Sequence, residues 1–161
     1  MARFGSADIK ERFFGAAVYL FAIHDALGLG TGLLVQFPAL QPFFKLLEAL
    51  VIPVSIVYGI FNTVIPRFGS LVVFFILFIA VVRNEKIAYF IRFNTLQSIL
   101  FGIAIALISI VFGTFGALGW IGGLVFIVAT AASLFCMVEC AFGRYPEIPT
   151  ISAAAYSQLP R

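Results

Sequence analysis

The composition of this 161-residue chain excludes an ordinary soluble domain, because 63% of its residues are hydrophobic and only 11% are charged. Soluble domains carry roughly a quarter charged residues, so a mean hydropathy of +1.14 predicts an integral membrane protein of the all-α class. The formal net charge of +3 comes from scattered residues and excludes a basic patch for nucleic acid.

Five apolar runs divide the chain and define the predicted membrane helices. The runs are Phe13–Leu34, Leu46–Ile65, Leu71–Val82, Phe93–Phe112 and Leu118–Phe142. A helix needs about 20 residues to cross a bilayer, so the third run is too short by itself. The number of spans therefore depends on the residues between the runs.

Basic residues fall into three groups, at the start of the chain, in the central loop and in the tail. The groups contain Arg3, Lys10, Arg12, Arg83, Lys86, Arg92, Arg144 and Arg161. Short loops rich in Lys and Arg stay on the cytoplasm-like side of a membrane. Placing all three groups on one face predicts four transmembrane helices, with both chain ends cytoplasmic or stromal. Five full spans are the alternative.

The first run carries two polar residues, His24 and Asp25. An acidic residue near the middle of a membrane helix costs about 2.5–3.5 kcal/mol on insertion scales. Neighbouring residues point about 100° apart on a helix, so these two cannot form a facing pair. They either line a hydrated groove or proton site, or lie at the interface because the helix ends near Gly28. The glycines of "GLGTG" favour the second interpretation.

Polar residues and prolines interrupt the segment between the first and third runs. Pro53 and Pro66 each remove a helical hydrogen bond, and Lys45 and Glu48 add charge. We interpret "PFFKLLEALVI" as an interfacial or re-entrant helix. The second transmembrane helix then begins near Phe61 or Ile65 and ends at Val82.

A polar face is predicted at the start of the fourth run. Helical spacing places Asn94, Gln97 and Ser98 on one side. An amide without a partner costs several kcal/mol in lipid, so this face looks into the bundle or into water. Hydrogen bonding between helices and the mouth of a polar vestibule are both compatible with the pattern.

The last run contains two cysteines and one acidic residue. Cys136 and Cys140 lie four residues apart, which is typical of two small core residues, and we predict neither a disulfide nor a metal site. Glu139 is expected to pair with Arg144 or Arg92. The chain has none of the common nucleotide-binding or catalytic motifs, so we expect no cofactor and no enzymatic activity.

Four stretches carry a resemblance to a known family. They are "QFPALQ" (36–41), "VVFFILFIAVVRN" (72–84), "FIRFNTLQSIL" (90–100) and "YPEIPTISAAAYSQLP" (145–160). In this order and spacing they resemble the Tic translocon's twenty-kilodalton channel-forming subunit family, most closely its cyanobacterial members. The motif positions in this chain are Arg83, Asn84, Arg92, Phe93, Asn94, Gln97, Tyr145, Ile148, Pro149 and Tyr156.

The resemblance implies a four-helix protein of the chloroplast inner envelope, or of a cyanobacterial plasma or thylakoid membrane. Its implied partners are preproteins and other translocon membrane subunits, with which it forms or lines a path for preproteins. Relatives often carry an acidic residue in the third span where this chain has Gly102. Asp25 of the first span is a possible substitute for that carboxylate.

From the residues and the resemblance together, we expect a polar groove in a single membrane domain over residues 1–144. Its predicted lining is Asn94, Gln97, Ser98, His24 and Asp25. Residues 145–161 are expected to form an extended tail that serves as a docking strip. Two other functions stay open, namely a scaffold subunit of a photosynthetic membrane complex and a small proton-coupled transporter that uses Asp25.

Overall fold

The computed structural model of the chain describes residues 7–114 and 118–159, and the side chains of residues 113–119 are outside that description. Every regular element in the described ranges is helical, which confirms the all-α class. Of the predicted basic groups, Arg3 and Arg161 lie outside the described residues.

Nine α-helices follow one another along the described chain. They are α1 (Ile9–Ala17), α2 (Tyr19–Leu27), α3 (Thr31–Gln36), α4 (Gln41–Leu50), α5 (Ile52–Val64), α6 (Gly69–Ile76), α7 (Tyr89–Thr114), α8 (Leu118–Ala141) and α9 (Ile151–Gln158). Short 3₁₀ turns join α2 to α3 and α3 to α4, and a π-helical turn, Leu77–Val82, extends α6.

Three helices are long and apolar enough to cross a membrane. They are Ile9–Gln36, which combines α1 to α3, Tyr89–Phe112 within α7, and Trp120–Ala141 within α8. The number rises to four if α4 and α5, which meet at a bend of 60°, count as one broken span. The described residues thus form a polytopic helical membrane protein with three to four spans.

The first span continues through its glycines. Gly28 has φ −59° and ψ −33°, an ordinary right-handed helical conformation, and its carbonyl accepts a hydrogen bond of 3.0 Å from Thr31 Oγ1. The interpretation that the helix ends near Gly28 is therefore wrong. A glycine ends a helix when it turns to positive φ, and here the bilayer favours continued backbone hydrogen bonding instead. His24 and Asp25 consequently lie well inside the span.

The predicted second span is divided by a turn at residues 65–68. Arg67 has a positive φ of 72°, and Asn62 Oδ1 accepts a hydrogen bond of 3.0 Å from the Gly69 backbone N–H on the far side of the turn. The predicted start of a span near Phe61 or Ile65 is therefore wrong. The interruption is explained by Pro66, which cannot donate a backbone hydrogen bond.

Helices α5 and α6 consequently form a short hairpin. With its π-helical turn, α6 has eight plus six residues, or about 20 Å of helix, against a hydrocarbon core of about 30 Å. The interfacial or re-entrant helix predicted at "PFFKLLEALVI" corresponds to α4, which begins at Gln41. Its bend into α5 precedes Pro53, the second residue of that helix.

The first span packs between α7 and α8, parallel to the former and antiparallel to the latter. A Cβ atom on Gly15 would lie 2.6 Å from Phe90 near the start of α7, and one on Gly30 would lie 2.8 Å from Phe126 of α8. These glycines therefore allow a close helix approach at both ends. The starts of α1 and α7 and the end of α8 share one end of the bundle. We call it the basic end, because it carries Lys10, Arg12, Arg83, Lys86, Arg92 and Arg144.

The tail is helical where an extended strip was expected. Residues 145–148 lack regular structure, but α9 follows them and packs on α7, with Ala155 fully buried and Leu159 3% exposed. The extended prediction is therefore wrong for Ile151–Gln158. The alanines of "ISAAAYSQ" favour a helix, which starts after Thr150 turns the chain at a φ of 71°.

Candidate functional site

Asn94 lies at the centre of a buried set of polar side chains. Its side chain is fully buried, and its Oδ1 accepts hydrogen bonds from the Tyr19 hydroxyl at 2.8 Å and from Cys140 Sγ at 3.2 Å. Its Nδ2 donates to the Phe90 carbonyl at 2.8 Å. One amide thus joins the first span, α7 and α8.

Gln97, one turn further along α7, joins the tail to the bundle. It is fully buried, and its Nε2 donates to the Pro146 carbonyl at 3.3 Å and lies 3.7 Å from Cys136 Sγ. The Ser152 hydroxyl is 3.3 Å from both Gln97 Oε1 and the Pro146 carbonyl, so its single hydrogen can serve either oxygen. The same hydroxyl accepts a bond of 2.7 Å from the Ile148 N–H.

These contacts define what we call the buried network. Its side chains are Tyr19, Asn94, Gln97, Cys136, Cys140 and Ser152. Ser98 is close by but separate, donating to the Val18 carbonyl at 2.6 Å where α1 meets α2. The sequence left two interpretations of Asn94 and Gln97 open, hydrogen bonding between helices and the mouth of a polar vestibule. The structure favours hydrogen bonding, because both amides are shielded from water and already have partners.

A second polar region lies between the first span and the α4–α6 segment, and we call it the polar cavity. It has a volume of about 590 Å³. Its lining is His24, Asp25, Leu27, Gly28, Glu48, Val51, Ser55, Tyr58, Asn62, Arg67 and Ser70. Eight of these eleven residues have polar side chains, which is unusual for a surface inside a membrane domain and favours a hydrated cavity.

Asp25 and His24 face this cavity at the side of the first span. Their side chains are 30% and 28% exposed, and Asp25 Oδ1 lies 3.5 Å from His24 Nδ1. Tyr58 of α5 completes the group, because its ring centroid lies 4.9 Å from that of His24 and it lines the same cavity as Asp25. His24 and Asp25 therefore both lie beside α5, and their own contact of 3.5 Å is long for a hydrogen bond.

Asp25 also approaches α7 closely. A Cβ atom on Gly102 would lie 3.2 Å from Asp25 Oδ2, so the carboxylate occupies the space beside that glycine. This position fits the expectation that Asp25 substitutes for a carboxylate in the third span. A smaller, mostly apolar cavity of about 290 Å³ adjoins this point, with Asp25, Ser98 and Gly102 in its lining. Ser98 and Asp25 thus meet at one cavity, whereas Asn94 and Gln97 line neither.

The motif positions of the sequence meet at the basic end. Phe93 of α7 packs on Tyr156 of α9 at 4.6 Å between ring centroids and on Tyr145 at 5.4 Å. The Pro149 carbonyl accepts a hydrogen bond of 2.8 Å from the Ile151 N–H at the start of α9. Stretches that are 50 residues or more apart in the chain therefore form one aromatic anchor for the tail.

The charged motif residues lie beside this anchor. Arg92 Nε donates to the Val82 carbonyl at 2.9 Å and so caps the π-helical turn. Asn84 Oδ1 accepts a bond of 3.1 Å from the Lys86 N–H, which closes the central loop, while Arg83 is exposed. The predicted pairing of Glu139 with Arg144 is confirmed at 3.8 Å.

Sequence reasoning missed partners on both sides of the site. Tyr19, Tyr58 and Ser152 occur in stretches whose polarity is ordinary, and only the fold brings them to Asn94, Asp25 and Gln97. The two cysteines are buried as expected. Their spacing of four residues places both thiols on the same face of α8. In the part of the chain that the structure describes, no three His, Cys, Asp or Glu side chains are grouped to hold a metal ion.

Comparison with known proteins identifies related sequences. The family described as "Chloroplast import apparatus Tic20-like" matches residues 9–155. The chain is 40% identical to a Tic20 family protein of Synechocystis sp., over 99% of both chains. It is 25% identical to Protein TIC 20-v, chloroplastic, of Arabidopsis thaliana over 96% of this chain and 73% of the relative, and 27% identical to Protein TIC 20-II, chloroplastic, over 92% and 72%.

Proposed function

This chain belongs to the Tic20 family of the chloroplast import apparatus, and from this premise we propose that it is a non-enzymatic membrane subunit of a protein translocon. In this role it lines part of a path along which unfolded preproteins cross the chloroplast inner envelope or a cyanobacterial membrane. It works within a hetero-oligomeric complex, together with other membrane subunits.

The observation that carries this function is the polar cavity. An unfolded polypeptide exposes backbone amides that cannot enter hydrocarbon without hydrogen-bonding partners. The cavity offers carboxylate, hydroxyl and amide groups within the membrane domain, at Asp25, Glu48, Ser55 and Asn62 among others. These groups, and the water between them, replace the hydration of a passing segment.

Helix α5 separates this cavity from lipid. Its outer face carries an apolar stripe at every fourth residue, with exposures of 53% at Ile52, 57% at Ile56, 58% at Ile60 and 74% at Val64. Ser55 and Tyr58 lie on the inner face and line the cavity. A helix with one lipid-facing and one polar face is suited to the wall of a path in a membrane.

The short hairpin supports the same role. Helix α6 with its π-helical turn is about 10 Å shorter than a typical hydrocarbon core, so the barrier beside the cavity is thin. The basic end faces the stroma or cytoplasm in this proposal, in accordance with the positive-inside rule. The polar cavity then lies deeper in the membrane, and the tail helix α9 covers the stromal or cytoplasmic side.

Photo-crosslinking of an arrested precursor tests this function. A photoreactive amino acid at Ser55 faces the cavity, whereas one at the neighbouring Ile56 faces lipid on the same helix and serves as the matched control. We expect precursor adducts from Ser55 and lipid adducts from Ile56. Equal crosslinking at the two positions, or no precursor adduct at Ser55 while the precursor is arrested in the complex, would contradict a path along this cavity.

A further inference from the structure

A third cavity lies at the basic end, apart from the proposed path. It is small, with a volume of about 90 Å³, and lies where the π-helical turn, the central loop, α7 and the end of α9 meet. Its lining residues are Val82, Arg83, Glu85, Arg92, Gln158 and Leu159. Two of the six carry a guanidinium group, and Gln158 adds an amide donor.

Arg92 is the unusual member of this set, because it is buried without a counter-ion. It is 7% exposed, and among the residues that the structure describes its hydrogen-bond partner is the Val82 carbonyl, 2.9 Å from Nε. Among the described residues, the basic side chains within 4 Å of a carboxylate are His24, beside Asp25, and Arg144, beside Glu139, so Arg92 has no carboxylate within pairing distance there. Arg144, by contrast, is 69% exposed at the side chain and paired.

A buried guanidinium stays protonated, and its burial is unfavourable unless an anion accompanies it. The two Nη groups of Arg92 remain available after Nε has bound Val82, and they form a fork that matches two oxygens of a phosphate. Arg92 also lies in the first turn of α7, where the helix dipole favours an anion. Glu85 lines the cavity too, but it is exposed to solvent, and the two guanidinium groups leave the lining with a net charge of +1.

We propose that this cavity binds a phosphate group, held by Arg92 and Arg83 with Gln158 as a further donor. A cavity volume of about 90 Å³ leaves room for a phosphate group. The cavity lies at the end of the membrane helices, where phospholipid headgroups are found, so the phosphate comes from an anionic lipid or from solution. Once bound, it joins the end of α9 to the central loop.

Thermal unfolding of the full chain in lipid-free detergent tests this site without any translocation assay. The ligands are a short-chain phosphatidylglycerol, inorganic phosphate, and an uncharged glycolipid of equal chain length as a control. We expect phosphatidylglycerol at ten times its dissociation constant to raise the melting temperature of the wild type by about 3–6 °C. The glycolipid should leave it unchanged.

Three variants assign the effect to the cavity. Arg83→Gln and Arg92→Lys should lose the shift, the second because an ammonium group lacks the fork. Arg144→Gln removes the same charge from the same end outside the cavity and should keep it. If Arg92→Lys does not fold, the comparison of Arg83→Gln with Arg144→Gln, two substitutions of exposed residues, still tests the proposal.

The two phosphate sources give different results. A shift with phosphatidylglycerol alone identifies a lipid headgroup, and a shift with inorganic phosphate as well identifies a site for the free anion. Either result supports the proposal. No shift in the wild type, or an equal shift in Arg83→Gln and Arg144→Gln, would overturn it.

Discussion

The buried network and the polar cavity contain similar side chains in opposite environments. Asn94 and Gln97 are fully buried and hydrogen-bonded to partners on other helices or the tail, whereas His24 and Asp25 are 28% and 30% exposed at the side chain and face a cavity of about 590 Å³. A polar residue in a membrane helix is therefore no indication of a channel by itself. Whether neighbouring side chains bury it and satisfy its hydrogen bonds decides its role.

Packing explains the difference. At the basic end, Gly15 lets the first span approach α7 so closely that Tyr19 reaches Asn94. At the cavity, the turn at residues 65–68 and the bend between α4 and α5 leave open space beside the first span, although Tyr58 of α5 reaches the His24 ring. Changes in the network should therefore alter stability, and changes in the cavity should alter transport.

The largest effect is expected from blocking the close contact between the first span and α7 at Gly15. Gly15→Leu places a side chain where even a Cβ would lie 2.6 Å from Phe90 and 3.3 Å from Asn94, and should lower the free energy of unfolding by about 3 kcal/mol. Reversible unfolding in mixed micelles measures it. Gly28→Leu is the matched control, since no atom beyond the adjoining residues and the backbone of its own helix lies within 4 Å of a Cβ there. An equal loss in both variants would show that the close approach at Gly15 contributes nothing.

The next effect is expected from deleting the central amide. Asn94→Ala leaves the buried Tyr19 hydroxyl without its acceptor and should lower the free energy of unfolding by about 1–2 kcal/mol. The double variant with Tyr19→Phe should recover part of the loss, because the stranded hydroxyl is then absent. The same unfolding assay reports both. Additive losses in the double variant would mean that the two side chains are not coupled.

A small change in stability but a large change in transport is expected at Asp25. Asp25→Asn keeps the shape of the side chain in a partly exposed cavity, so the free energy of unfolding should change by no more than about 0.5 kcal/mol. Precursor crosslinking from Ser55 should decrease, because a charged group that holds water in the cavity is lost. A variant that unfolds easily yet crosslinks normally would reverse the assignment of the two regions.

The smallest effect is expected at high pH in the tail. Burial, and next the neighbouring Tyr89 and Tyr156, raise the pKa of Tyr145 to about 12. The tyrosine then binds its proton more tightly when the tail is docked than when it is free. The contribution to docking is complete below about pH 10, the ordinary tyrosine pKa, and is lost as the pH rises through about 12. Proteolysis of the tail should accelerate over this range, and the acceleration should be smaller in Tyr145→Phe.

The fold class and the basic end could be predicted from the sequence because both depend on local composition. Apolar runs and the three basic groups fix the helices and their common end, and the spacing of Asn94, Gln97 and Ser98 correctly places them on one inward face. The aromatic anchor formed by Phe93, Tyr145 and Tyr156 could not be predicted from helical periodicity, since it joins residues that are far apart in the chain.

The sequence could not predict that the network is buried and the cavity open, because this difference depends on how far apart the helices lie. The same sequence pattern at Asn94 would line a groove if Gly15 were larger and the first span stood away from α7. At Gly28 the local glycines suggested a helix end, but the bilayer favours a continuous hydrogen-bonded helix. The tail helix was missed because three prolines outweighed the alanines between them.

The most direct test of the two regions is the reaction of cysteines with a membrane-impermeant thiol reagent in native membranes. Cys136 and Cys140 are fully buried, so the wild type should not react. Ser55→Cys, in the polar cavity, should react at least about ten times faster than Ile56→Cys on the lipid side, because the thiolate forms in water. Equal rates at Ser55→Cys and Ile56→Cys, or reaction of the wild type as fast as Ser55→Cys, would contradict the distinction between a closed network and a water-filled path.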